Sequence, residues 1–223
     1  MIFKELKHEY WEGSVEYMPV SDWGKQFVKP FPEMMASKNT AKKDGVTQKF
    51  ILGKWGAKRD YSCDYGNAVH RAIEYWINYR EFPDHPHLRK AVEEFIKVLN
   101  KLYPGKTIKK IVAEMIASDK ETLIAGTLDT VIGLGNNVID IIDIKTNGVF
   151  EKPGRSRMLA PFQMLKDSNL NKYRLQVSMY HHLLKCMGYK PRNGYLVHWN
   201  GDMFKIVKVK ILDLTKALLV NKK

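Results

Sequence analysis

Apolar positions along this chain change period several times. Val69, Ala72, Ile73, Trp76 and Ile77 recur at helical spacing over 64–77, with Asp64 placed to cap the start. Residues 46–60 read as an earlier helix carrying Phe50, Ile51 and Trp55, in spite of Gly53 and Gly56. Ser21-Asp22-Trp23 marks a short helix with Ser21 or Asp22 as its N-cap. A further helix over 87–103 follows Leu88, Val92, Phe95, Ile96 and Leu99 and stops at Pro104-Gly105. The period then falls to two. Residues 107–118 predict a strand through Ile108, Ile111, Val112, Met115 and Ile116; Asp119-Lys120 supplies a turn, and Glu121 begins the next strand. Residues 126–146 read GTLDTVIGLGNNVIDIIDIKT, two β-branched runs about the turn Leu134-Gly135-Asn136-Asn137, which is a β-hairpin. Helical spacing returns over 172–187. Strands over 194–199 and 203–212 then meet at Asn200-Gly201-Asp202, and a short helix with a basic tail closes the chain.

The element order is helix, helix, three strands, helix, two strands, which predicts an α/β fold on a mixed sheet. There is no internal repeat or low-complexity segment. Residues 1–65 form a basic, mostly helical extension, 66–212 the core, and 213–223 a short helix and tail of a single domain.

The hairpin carries acids in apolar surroundings: Asp129 on its first strand, Asp143 and then Lys145 on its second. Asp143 and Lys145, two apart on a strand, share a side, whereas Asp140 faces away from them. Strands this apolar are buried on both faces, and a buried charge costs several kcal/mol unless it is paired or holds a metal. A divalent cation is the candidate.

Charge sharpens that reading. The 223 residues include 37 Lys+Arg against 24 Asp+Glu, a net charge of +13, for which nucleic acid is the default partner and a membrane surface the competing one. No run approaches the roughly 18 apolar residues of a spanning helix. The N-terminal residues lack a signal-peptide core, and their acids argue against a transit peptide. Cys63 and Cys186 are the only cysteines and make no paired motif, which points to a reduced, intracellular protein without an iron–sulfur cluster.

His70 and Glu74 share a helical face beside the apolar stripe; alone they read as a structural pair more readily than as ligands. Glu114 alternates onto the face of Val112 and Ile116, where edge exposure accounts for an acid. Gln176 and Tyr180 share a face of the later helix, and His181 and His182 are poor co-ligands because adjacent helix residues diverge. Two carboxylates and an imidazole suit Mg²⁺ or Mn²⁺, and no Cys/His cluster has zinc-ligand spacing. Such an ion lowers the pKa of a bound water and polarises a phosphodiester, while Lys145 orients the water or stabilises charge on phosphorus. For the polymer, Lys54 and Trp55 in the extension and Lys152, Arg155 and Arg157 in the basic loop 147–171 are candidate contacts; a solvated basic face explains the first group equally well.

The blocks Gly66-x-x-x-His70-x-x-x-Glu74, Gly126-x-x-Asp129, Asp143-Ile144-Lys145-Thr146 and Gln176-x-x-x-Tyr180 together resemble the PD-(D/E)XK nuclease superfamily, in its RecB-like exonuclease branch. The resemblance spans roughly residues 46–212. It implies a restriction-endonuclease-like core of helix, three strands, helix and strand. It further implies that His70, Asp129, Asp143 and the Ile144 carbonyl ligate the metal, that Lys145 is catalytic, and that Gln176 and Tyr180 support the site. Glu74 matches a less uniform position, and Glu114 matches an acid that reaches a second ion. The four cysteines of the cluster-bearing members are absent, and no helicase motif appears. The implied activity is a metal-dependent DNA exonuclease preferring single strands or free ends, in replication, repair or recombination. A structure-specific endonuclease on the same core, or a non-catalytic nucleic-acid-binding protein, are the alternatives.

Overall fold

Residues 1–4, 9–105, 108–148 and 156–219 are described by the computed structural model. The chain runs β1 (Ile2–Lys4), β2 (Glu9–Glu12), β3 (Val15–Pro19), α1 (Val20–Lys25), α2 (Glu33–Asp44), α3 (Gln48–Tyr79), α4 (Pro86–Leu102), β4 (Lys110–Asp119), β5 (Ile124–Gly135), β6 (Val138–Lys145), α5 (Asn169–Cys186), β7 (Lys190–Trp199), β8 (Phe204–Lys208) and α6 (Thr215–Leu219). The predicted α/β class holds: eight strands form one mixed sheet in the order β1-β2-β3-β5-β6-β7-β8, with β4 beside β5. None of the described helices is long and apolar enough to cross a membrane.

Helices cover both faces of the sheet, so β5 and β6 are buried from two sides, as their continuous apolar runs require. One core joins Leu128, Val131, Ile139 and Ile141 to Val20 and Trp23 of α1 and to Leu175, Met179 and Leu183 of α5. The other joins Ile132, Ile142 and Ile144 to Val69 and Ile73 of α3 and Val92 and Phe95 of α4.

Several boundaries differ from the sequence expectation. The helices over 46–60 and 64–77 are one continuous α3, and Asp64 lies inside it. No proline separates the two halves, and the cap is Thr47, whose hydroxyl accepts the Phe50 amide at 3.2 Å. The short helix over α1 starts after Pro19 with no side-chain cap, not at Ser21 or Asp22. The extension is mostly helical but also supplies β1, β2 and β3. Their residues are too short a run for a period to show, and β3 joins the sheet through parallel pairing of Met18 with Ile124 and Pro19 with Ala125.

Two features place the site. First, β6 pairs with β5 only as far as Thr130↔Ile142, and β3 pairs the other end of that same edge at Ile124 and Ala125. Between them, 126–129 face no strand on that edge among the described residues, so the sheet forks there. Second, β4 and β5 stay in register from Lys110↔Gly133 to Asp119↔Ile124 while the ladder rolls over at Glu114 and Asp129. Ile111 and Ala113 pack toward α3 and α4, whereas Met115 and Ala117 pack toward α5. Glu114 has φ of 49°, a left-handed value that side chains seldom adopt in strands. The expected common face of Val112, Glu114 and Ile116 is therefore broken: Val112 packs with the α5 core and Ile116 with Tyr10 and Phe3.

Asp140 illustrates a structural acid. It is fully buried and accepts from Arg192 Nε at 3.1 Å, Arg192 Nη2 at 2.6 Å, the Asn193 amide at 3.0 Å and the Tyr103 hydroxyl at 3.0 Å. Arg192 is 41% exposed and rehydrates if Asp140 is removed, but the Tyr103 hydroxyl and the Asn193 amide would lose their acceptor. Asp140→Ala is expected to cost about 2 kcal/mol in urea unfolding; a loss below about 0.5 kcal/mol, the scale of an ordinary surface change, contradicts this role.

Candidate active site

Asp129 sits where the strands part. Its Oδ2 accepts the Ile144 amide at 2.6 Å, standing in for the backbone carbonyl that β5 no longer presents to β6. Its Oδ1 lies 3.5 Å from His70 Nδ1, an ion-pair distance too long for a good hydrogen bond. His70 reaches this point because α3 passes close to the end of β6: a Cβ at Gly66, one turn earlier, would stand 2.7 Å from Thr146 Oγ1. Glu114, directly across the ladder from Asp129, completes a group with His70 and Asp129 whose donor atoms all lie within 4.8 Å of one another.

Asp143 is the counterpart on β6. Its side chain is 1% exposed, and Lys145 Nζ lies 2.7 Å from its Oδ2. Neither carboxylate oxygen has an aligned hydrogen bond, in contrast to Asp140 three residues earlier. Lys145 Nζ also stands 4.9 Å from the ring centre of Tyr173, a cation–π contact that fixes the ammonium from the α5 side. From the same helix Gln176 Nε2 donates to the Tyr180 hydroxyl at 2.9 Å. The Tyr180 ring lies over Gly126, where a Cβ would come within 2.7 Å of Cε1.

Charges in this cluster set one another. Burial pushes the Asp143 carboxyl up to about 6; Lys145 opposes the rise and Asp129 adds to it. Burial pushes Asp129 the same way, but the His70 charge, then Lys145 and the Ile144 amide, outweigh it and leave the carboxyl below its ordinary value. Burial lowers Lys145 and His70, yet the neighbouring carboxylates leave both above their ordinary values. The Tyr180 phenol is held protonated by burial and by the charges of Asp143 and Asp129.

A cleft of about 630 Å³ opens beside this cluster, and neither Asp143 nor Lys145 lines it. His70, Glu74, Glu114, Asp129, Gln176 and Tyr180 line it, with Asn67 and Arg71 of α3 and Phe3 and Tyr10 of the N-terminal strands. Glu114 is exposed on a strand whose only described partner is β5, matching the edge position expected of it.

The polymer contacts fare differently. Lys152 and Arg155 lie outside the described residues. Arg157 donates to the Gln163 carbonyl at 3.5 Å and the Met164 carbonyl at 3.2 Å, inside its own loop, and Met158 and Phe162 anchor that loop in the core. Trp55 is half-buried beside Phe31, ring centres 6.0 Å apart, and neither it nor Lys54 lines the cleft. Tyr173 beside Lys145, and Asn67 and Arg71 on the cleft wall, are residues that sequence reasoning did not single out. For Tyr173 the signal was the plainest, since 173, 176 and 180 share one helical face.

No protein-family model matches this chain. No curated protein matches it either. Among solved structures, the chain is similar to a provisionally assigned exonuclease from Eubacterium rectale, at 11% identity and a TM-score of 0.40 over 92% of this chain and 77% of that one. It is also similar to the protein SSO0001, at 17% identity and a TM-score of 0.35 over 69% of each chain. Likenesses this distant leave the site geometry to carry the functional reading.

The donor set fits a divalent cation. Asp143 is buried beside the cleft-lining groups without aligned hydrogen bonds, and an imidazole with two carboxylates converges within coordination reach. A metal held by Asp143 would need its carboxyl ionised. Because its carboxyl is raised to about 6, the ionised form prevails above that pH and metal must displace a proton below it. Mn²⁺ affinity measured by titration calorimetry is expected to fall roughly tenfold per pH unit below about 6. An affinity that is flat from pH 5 to 7.5 contradicts Asp143 as a ligand.

Proposed function

We propose that this protein is a divalent-metal-dependent nuclease of the PD-(D/E)XK type, which hydrolyses phosphodiester bonds of DNA from free ends and prefers single strands. The observation that carries the reading is the Asp143–Lys145 pair, 2.7 Å apart and buried, at the fork beside Asp129. A solvated ion pair has no need of such burial, and a structural one would resemble the fully bonded Asp140. The net charge of +13 suits a polyanionic substrate.

His70, Asp129, Asp143 and the Ile144 carbonyl would hold Mg²⁺ or Mn²⁺, with Glu114 available to a second ion. When bound, the metal supplies Lewis-acid charge to the scissile phosphate and acidifies a water. The chain's own groups do the rest. Lys145 is held charged by Asp143 and Asp129, so it serves as a cation facing the charge that develops on phosphorus and does not take a proton from water. Tyr173 fixes the direction of the ammonium. Tyr180, kept protonated and oriented by Gln176, is a hydrogen-bond donor toward the substrate. Glu74 and Arg71 on α3 lie along the cleft wall, where Arg71 offers a phosphate contact.

The test is a digestion assay on end-labelled linear DNA, single- and double-stranded, with Mg²⁺, Mn²⁺ or chelator. Lys145→Ala and Asp143→Ala are each expected to lower the rate by roughly a hundredfold to a thousandfold. Undiminished activity in both variants contradicts the assignment, and no metal-dependent activity in the wild type leaves the binding-protein reading. Circular single-stranded DNA is expected to remain intact; its cleavage by the pure protein would turn the reading to an endonuclease.

A further inference from the structure

On the far side of α5 from the catalytic cluster's helix turn lies a second group of ligating side chains. We propose that Asp119, His182 and Cys186 form a three-ligand site for a borderline transition ion of the zinc class. The site stands apart from the nuclease reading and does not rest on it.

His182 and Cys186 are four apart on α5 and share a face. Asp119 arrives from the last residue of β4. Donor atoms of the three lie within 4.8 Å of one another. His182 Nε2 is 3.3 Å from Asp119 Oδ2 and 3.5 Å from Cys186 Sγ. A tetrahedral site with bonds of about 2.05 Å to nitrogen, about 2.1 Å to oxygen and about 2.3 Å to sulfur has an N···O edge of about 3.4 Å and an N···S edge of about 3.6 Å. The two edges at His182 thus match those of a zinc tetrahedron, and the third, between Asp119 and Cys186, is within 4.8 Å. In the metal-free protein the His182–Asp119 contact serves as a hydrogen bond, which an ion would replace.

The surroundings support the arrangement. Asp119 is buried and its carboxylate is fixed by outer contacts: the Glu121 amide donates to Oδ1 at 3.0 Å and the Thr122 hydroxyl to Oδ2 at 2.7 Å. Contacts of this kind orient a ligand in a metal site. All three side chains line a cleft of about 1010 Å³, which leaves the fourth position open to water. Thiolate with imidazole selects Zn²⁺ or Co²⁺ over Mg²⁺ or Ca²⁺, so this site and the oxygen-rich one at the fork would take different metals. An ion here would tie the β4–β5 turn to the C-terminal part of α5. Zinc-ligand spacing in the sequence misses the site because the third ligand lies 63 positions from His182.

The test is a Co²⁺ titration of the reduced, metal-free full-length protein, read by absorption. A thiolate-to-cobalt charge-transfer band is expected, rising to one equivalent and erased by Zn²⁺ but not by Mg²⁺. It should vanish in Cys186→Ser, weaken more than about tenfold in apparent affinity in His182→Ala, and persist in Cys63→Ser and in Asp143→Ala, which disables only the catalytic cluster. Cys186 is exposed, so the serine variant has no core to disturb. No thiolate band in the wild type, or a band that survives in Cys186→Ser, overturns the proposal. Protection of Cys186 from alkylation by Zn²⁺ is the second readout, and equal alkylation rates with and without Zn²⁺ count against it.

Discussion

The stretch of β5 between Ala125 and Thr130, paired with β4 but facing no described strand on its other edge, is the constraint on which the site depends. A buried backbone edge must find partners, and here the substitutes are side chains. Asp129 accepts the Ile144 amide in place of a ladder bond. Tyr180 closes over Gly126, which only a residue without a Cβ allows. β6 has parted from β5 by the level of Asp143 and Lys145, which stand at the fork without lining the cleft. The left-handed backbone at Glu114 belongs to the same event, since it rolls the β4–β5 ladder at the level of Asp129.

Energetics separate the two acids of β6. Asp140 and Asp143 are both buried, three residues apart, on one strand. Asp140 has a bidentate arginine, an amide and a phenol, and its charge is fully met. Asp143 has one lysine at contact distance and a carboxyl raised by burial. Leaving a buried charge so poorly met costs stability, and such a cost persists where the unmet oxygens have another task. Lys145 is constrained in turn by Asp143 and by the Tyr173 ring, which hold the cation in one orientation.

Much of this was legible in the sequence because the relevant signals are local. The hairpin turn, the period-two alternation that puts Asp143 with Lys145 and turns Asp140 away, and the i,i+4 spacing of His70–Glu74 and Gln176–Tyr180 all depend on neighbours within a few residues. What escaped depends on distant segments. Three short N-terminal strands carry too few residues for a period and are held by pairing with one another and with β5. Asp64 looks like a cap in isolation, yet α3 runs through it because nothing upstream breaks the helix. The switch of faces at Glu114 is invisible to alternation, which assumes a uniform ladder. Arg157 looked like a free cation in a basic loop, but its guanidinium is turned onto carbonyls of that loop. The Asp119–His182–Cys186 group joins a strand end to a helix that returns to it only in the folded chain.

Whether a metal bridges the fork is the central claim, and anomalous diffraction from crystals grown with Mn²⁺ addresses it directly. The account predicts a peak in the cleft about 2.1 Å from a carboxylate oxygen of Asp129 and of Asp143, with the His70 imidazole turned toward it. A protein that shows no peak there, or one whose ion leaves Asp143 untouched beside Lys145, would contradict it.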